Sequence, residues 1–342
     1  MGKTMNESVE NIKPLGFQWE APDPFLFCVH HEDFFPKGNA NLGPGKKELV
    51  GRNMGQDFHV KDGWRMYHGQ TVPGFPPHPH RGFETVTVVR KGWVDHSDSM
   101  GAAGRYGNGD VQWMTAGKGL QHSEMFPLVN QDAGNPMELF QIWLNLPRAS
   151  KMVKPHYKMF WNEDIPRYEA ADAQNGITKI ELIAGKIGTL SAPVPPPDSW
   201  ASKAENEVAI WVIHMEPNAT FELPAASPGV NRRLYFYKGG QLHLNGANLP
   251  AYHSADVKAD QPVHLMAGEE ACSALLLQGR PMHEPVVQYG PFVMNTKKEI
   301  DEAFSEYRQT QFGGWPWPQD EVTHGAGAKR FAIYSDGTKE ER

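Results

Sequence analysis

Long apolar runs are missing from this 342-residue sequence. Stretches such as Ala274 to Leu277 are core-sized, far short of the roughly 18 residues that cross a bilayer. A membrane-spanning helix is therefore not expected. Cysteine is nearly absent: Cys28 and Cys272 are the only two, which fits inert core thiols in a reducing compartment better than a disulfide framework. Clusters of like charge are lacking as well. The balance of 33 basic against 40 acidic residues gives −7, with no basic face to release counterions from nucleic-acid phosphates. Direct nucleic-acid binding and attachment to an anionic membrane are both set aside. Met1 to Glu7 lead into no apolar segment and leave Asn6 where an acylation motif needs Ser or Thr, so the expected location is cytoplasmic.

Helical periodicity is scarce too. The clear case is Lys297–Arg308, where Ile300, Ala303, Phe304 and Tyr307 fall on one face. Strand-like segments rich in β-branched and aromatic residues recur instead, among them Phe83–Val89, Val111–Thr115, Leu139–Leu146, Ile177–Ala184, Val208–His214, Arg233–Tyr237 and Ala274–Gln278. With 28 prolines and 34 glycines as punctuation, this series indicates antiparallel sandwiches or barrels rather than a parallel sheet. The segment Pro193-Val194-Pro195-Pro196-Pro197 reads as an extended linker or stiff loop, because successive prolines cannot join a ladder. Three segments are expected: a domain over 1–165, a second over 166–310, and an extended tail over 311–342 anchored by its tryptophans.

The chemistry concentrates between Gly74 and Phe126. His78-Pro79-His80 runs into an alternating strand, and residues two apart in an extended chain point to one side. His122-Ser123-Glu124 repeats that spacing after the Gly-rich turn Gly117-Lys118-Gly119. Two strands with two donors each close a site. Three imidazoles and one carboxylate suit a divalent first-row metal with open positions for water, dioxygen or substrate. Iron(II) is the expected ion, and the ligand set also admits Mn, Co, Ni, Cu and Zn. The remaining histidines, including His30, His31, His68 and His96, read as core or surface residues.

The stretches His78–Val86 and Gly109–Met125 resemble the two signatures of the pirin family, within the cupin superfamily. The resemblance continues through Leu144–Pro147, Lys151–Pro155 and Glu284–Thr296. It implies an all-β chain of two cupin-type (jelly-roll) barrels with a short C-terminal helix, the N-terminal barrel holding one metal through His78, His80, His122 and Glu124 and the C-terminal barrel none. It places Glu84 as a support for the ligands. Relative to compact family members, the stretch before the first motif and the tail past Phe312 are extended.

The resemblance further implies quercetin 2,3-dioxygenase activity, in which a flavonol ring is opened by dioxygen with release of carbon monoxide. The partners would be a small aromatic substrate and dioxygen. Glu124 could serve as the base, and Trp113, Met114, Phe83 and Met125 as apolar walls; Arg81 could pair with a carboxylate nearby. The alternative is a redox-sensitive regulator that binds a transcription or metabolic protein. A third reading is another cupin dioxygenase or metal-dependent isomerase.

Overall fold

The computed structural model describes residues 8–327 and 329–342; Met1 to Glu7, read above for leader and acylation signals, lie outside the described residues. Among the described residues most regular structure is strand, with one α-helix, α1 (Lys297–Thr310), and a few short 3-10 turns. The chain divides into two compact units, each assembled from two stretches. One comprises residues 29–162 and 284–342, the other residues 1–28 and 163–283. Contiguous domains over 1–165 and 166–310 were expected. In the structure residues 8–28 group with the second unit, and α1 and the tail group with the first.

In the first unit the strands are β1 (Phe25–Phe35, beginning just before the unit does), β2 (Gly74–His80), β3 (Phe83–Lys91), β4 (Trp93–Asp98), β5 (Ala103–Gly107), β6 (Val111–Thr115), β7 (Leu120–Met125), β8 (Asn135–Asn145) and β9 (His156–Phe160), with β10 (Phe331–Ile333) and β11 (Lys339–Glu341) from the tail. One sheet runs β9-β6-β3-β8-β1 and the other β11-β10-β5-β4-β7-β2, each a mixture of near and distant sequence. The tail is thus structured where it reaches β5: Phe331, Ala332 and Ile333 pair with Arg105, Gly104 and Ala103. Of its tryptophans, Trp317 donates to the Asp98 carbonyl, whereas Trp315 donates locally to Gln319.

The extension between β1 and β2 is a packed loop. Arg52 lies 3.2 Å over the Trp64 ring and donates to Asp57 and to the carbonyls of Trp64 and Lys61. Trp64, Met66 and Tyr67 enter the core with Phe126 and Leu128. In α1, Ile300 and Ala303 are buried, and Phe304 and Tyr307 pack beside them against Phe292 and Met294. The periodic positions therefore form the buried face, and Thr296 with Glu299 completes a reciprocal cap at its start.

The second unit has a seven-stranded sheet containing Ile177–Ala184, Ala209–Met215, Asn231–Lys238 and Cys272–Gly279. A four-stranded sheet built from Thr220–Leu223, Val263–Ala267, Gln241–Leu244 and Ala247–Pro250 accompanies it. Apolar side chains of both sheets form one core. The Pro193–Pro197 segment lies within this unit and is not a divider. Cys28 and Cys272 are buried and form no disulfide, with burial raising the thiol of Cys272 to about 11.

Candidate metal centre

β2 and β7 pair antiparallel, with His78 opposite His122 and His80 opposite Leu120. Between Phe75 and His78 the register shifts. Pro76 and Pro77 occupy that interval, where chain without N–H donors is accommodated by a bulge. The bulge brings Phe75 and His78 to the same face as Glu124 and His122. Gly119, at φ 121°, allows the turn into β7, and the Phe312 ring fills the space a side chain there would need.

The three histidines converge. Ring centroids are 4.4 Å apart for His78 and His122, 4.8 Å for His78 and His80, and 4.9 Å for His80 and His122. One ligand nitrogen from each lies within 4.8 Å of the others. His78 Nδ1 is 2.9 Å from the Pro76 carbonyl, which leaves Nε2 for the centre. The ring nitrogens of His80 and His122 are buried with no hydrogen-bond partner. Buried polar atoms are normally satisfied, so this set fits a metal ion. Burial holds His80 and His122 well below the usual imidazole range and brings His78 down to about 4. All three are neutral near pH 7, the form that ligates metal.

Glu124 stands beside this cluster. Its Oε2 lies 3.8 Å from His122 Nε2 and accepts from Gln141 Nε2 at 2.6 Å, while Oε1 accepts from the Thr87 hydroxyl at 3.2 Å. Burial raises the carboxyl's pKa, with His96, Gln141 and Thr87 acting in the opposite sense. Strand parity places the other candidates. Thr85 and Thr87 share the inner face of β3, so Glu84 points to the opposite face, where it accepts from Thr115 at 2.6 Å. Its expected role beside the ligands is not observed. Trp113 is opposite Val86 on that same outer face, and Met125 lies on the face of β7 away from Glu124. Met114, opposite Thr85, and Phe83 remain on the inner side.

Trp143 and His96 were not singled out by the sequence. Trp143 stacks on Phe83 at 3.9 Å and sits 5.2 Å from the His80 ring. It lies opposite Thr85 across the β3–β8 ladder; strand alternation carried that signal once Thr85 was assigned inward. His96 is opposite Glu124 on β4, 5.5 Å from the His122 ring, and stacks on Tyr157 at 5.0 Å. Arg81 pairs with Glu306 of α1 at 2.8 Å, donates to the Lys118 carbonyl and covers Phe312. It joins the first motif to the helix.

Comparison with known proteins decides the family. The Pirin family description matches residues 46–144, and that of the Pirin C-terminal cupin domain matches residues 210–313. A Pseudomonas aeruginosa protein named provisionally as a quercetin 2,3-dioxygenase is 34% identical over 239 residues, which cover 70% of this chain and 79% of that one. The chain belongs to the pirin family. A pirin-like protein of Caulobacter vibrioides is 36% identical over 240 residues, 70% of this chain and 80% of its own. Among solved structures, a quercetin 2,3-dioxygenase from Acinetobacter baumannii superposes with a TM-score of 0.68 at 26% identity, covering 90% of this chain and 96% of that one. The pirin chain described here is therefore all-β with two cupin domains, a C-terminal helix and a group of three histidines able to hold a metal. No described helix is long and apolar enough to cross a membrane.

Proposed function

We propose that this pirin is a mononuclear metal-dependent dioxygenase of the quercetin 2,3-dioxygenase kind, acting on a flavonol-type aromatic substrate, with iron(II) as its metal. His78, His80, His122 and Glu124 would hold the ion. The observation that carries the reading is the convergence of three imidazoles, those of His80 and His122 buried with no hydrogen-bond partner on their ring nitrogens, beside a buried carboxylate and an aromatic wall. The names given to the Pseudomonas and Acinetobacter relatives support the same reaction class.

When bound, the ion supplies Lewis acidity toward the substrate oxygen and an open position for dioxygen. Glu124 receives the substrate's hydroxyl proton on Oε2. Gln141 and Thr87 fix the orientation of its carboxylate. Trp143, stacked on Phe83 and 5.2 Å from the His80 ring, would supply apolar wall on that side of the centre. The burial of both side chains keeps water from the reacting ring.

The test is elemental analysis of the wild-type chain beside a His78→Ala/His122→Ala variant, followed by oxygen uptake with quercetin. About one ion per wild-type chain, none in the variant, and uptake that follows the metal are expected. Metal without turnover would favour the regulatory reading or another substrate. Equal metal in both proteins would refute the site.

A further inference from the structure

The second unit contains a cavity of about 450 Å³ at one end of its barrel interior. The strand Asn231–Lys238 sends Leu234 and Phe236 into the core, so Arg232, two residues earlier, faces the same way. Gln278 lies directly opposite Arg232, on a strand whose Ala274 and Leu276 are also core residues. Where the barrel continues with aliphatic side chains, this end therefore carries a guanidinium and an amide. Trp211 and the Pro193-Val194-Pro195 segment contribute apolar wall. That segment, which read as a linker, encloses a pocket instead.

Arg232 is only 3% exposed. Its Nε donates to Gln278 Oε1 at 2.7 Å, and Gln278 Nε2 donates to the Glu207 carbonyl at 3.1 Å, so the guanidinium is fixed before any ligand arrives. Nη1 is buried and has no hydrogen-bond partner. Burial pulls the pKa of Arg232 down to about 10, and the group is still cationic at neutral pH. Glu207 is the acidic group on the cavity wall, but its carboxylate accepts from the Ser227 N–H at 3.1 Å and from Arg280 at 3.4 Å. Lys186 and Lys203 also line the cavity, leaving its charge positive.

We propose that this cavity binds a small organic carboxylate with an apolar body, the carboxylate accepting from Arg232 and the body packing against Trp211 and the proline wall. A buried cationic donor without a partner is costly unless an acceptor reaches it. A largely apolar pocket with one oriented polar anchor is the usual form of a small-molecule site. The rigid fork of arginine suits a carboxylate in particular. The site uses none of the metal-centre residues and does not depend on the proposed dioxygenase activity.

The test is calorimetric titration of the full chain at pH 7 with benzoate and octanoate, and with benzamide as the uncharged counterpart. Saturable binding of at least one acid is expected, with benzamide weaker by about tenfold or more. Arg232→Gln should weaken acid binding by about tenfold or more, and Ala225→Trp, which adds bulk to the cavity lining while keeping the guanidinium, should do the same. His122→Ala should leave it unchanged. The proposal is overturned if neither acid binds saturably below about 10 mM, an affinity too weak to need a built site. It is equally overturned if benzamide binds as well as benzoate, if binding survives both pocket substitutions, or if His122→Ala abolishes it. Should Arg232→Gln fail to fold, Ala225→Trp decides alone.

Discussion

Glu124 and the three histidines share burial but respond to it in opposite ways. Desolvation favours the uncharged form, so the imidazoles lose protons and become ligands, while the carboxyl gains affinity for one and becomes a base. Glu124→Gln separates these functions. The variant is expected to keep metal through His78, His80 and His122 while oxygen uptake with quercetin falls by about 10²-fold or more. Retained turnover would remove Glu124 from the proton transfer. A second buried histidine gives a test of stability. Burial, then Arg65 and His30, bring His31 down to about 3. Above about pH 6.5 the ring is neutral in both folded and unfolded chains. As pH falls below that value the unfolded chain takes a proton that the folded one refuses, so stability is lost between about pH 6.5 and 3, by up to about 1.4 kcal/mol per pH unit. His31→Gln should flatten this slope in urea midpoints measured from pH 7 to 5. An unchanged slope would mean that His31 titrates normally in the fold.

At the scale of elements, alternation and punctuation were readable wherever one strand face meets a core. Val111–Thr115 and Ile177–Ala184 occur as expected, and the periodic face of α1 is the buried one. The bulge in β2 follows from Pro76-Pro77, but its effect on Phe75 and His78 depends on the partner strand β7. Glu84 shows the same limit. The family resemblance placed it beside the ligands, whereas parity in β3 turns it to Thr115. The cap of α1 is a local device with a local cost. Thr296→Ala removes the acceptor for the Glu299 N–H, and a loss of about 1 kcal/mol is expected in chemical denaturation. Glu306→Gln, which keeps an oxygen acceptor for Arg81 at the other end of the helix, should cost less than Glu306→Leu, which leaves no acceptor there. Stability of both variants equal to that of the wild-type chain would show that the ion pair contributes nothing to docking.

For the molecule as a whole, neither unit is continuous in sequence. Lys151 illustrates the consequence within the first: its buried amine donates to the carbonyls of Gly82 and Val293 and to Asn145 Oδ1, tying residues from both stretches. The tail strand β10 adds to β5 by main-chain pairing. Residues 29–162 produced alone would expose the β5 edge and leave Arg81 without Glu306 and Lys151 without the Val293 carbonyl. That fragment is expected to show no cooperative thermal transition in calorimetry, whereas addition of residues 284–342 through a short linker should restore one. Cooperative melting of the shorter piece would overturn the two-stretch account of the unit.

The residues themselves determined the strand-rich class, the amphipathic helix and the two donor pairs, because period-two and period-3.6 patterns and i, i+2 spacing are local properties of an extended or helical chain. Tertiary structure decided what those patterns face. It set His96 and Trp143 around the metal cluster, sent Glu84 and Trp113 outward, grouped the tail with the metal unit and opened a cavity around Arg232. Each of these depends on register or on pairing between residues far apart in the chain, and a one-residue shift in register exchanges the faces of an entire strand.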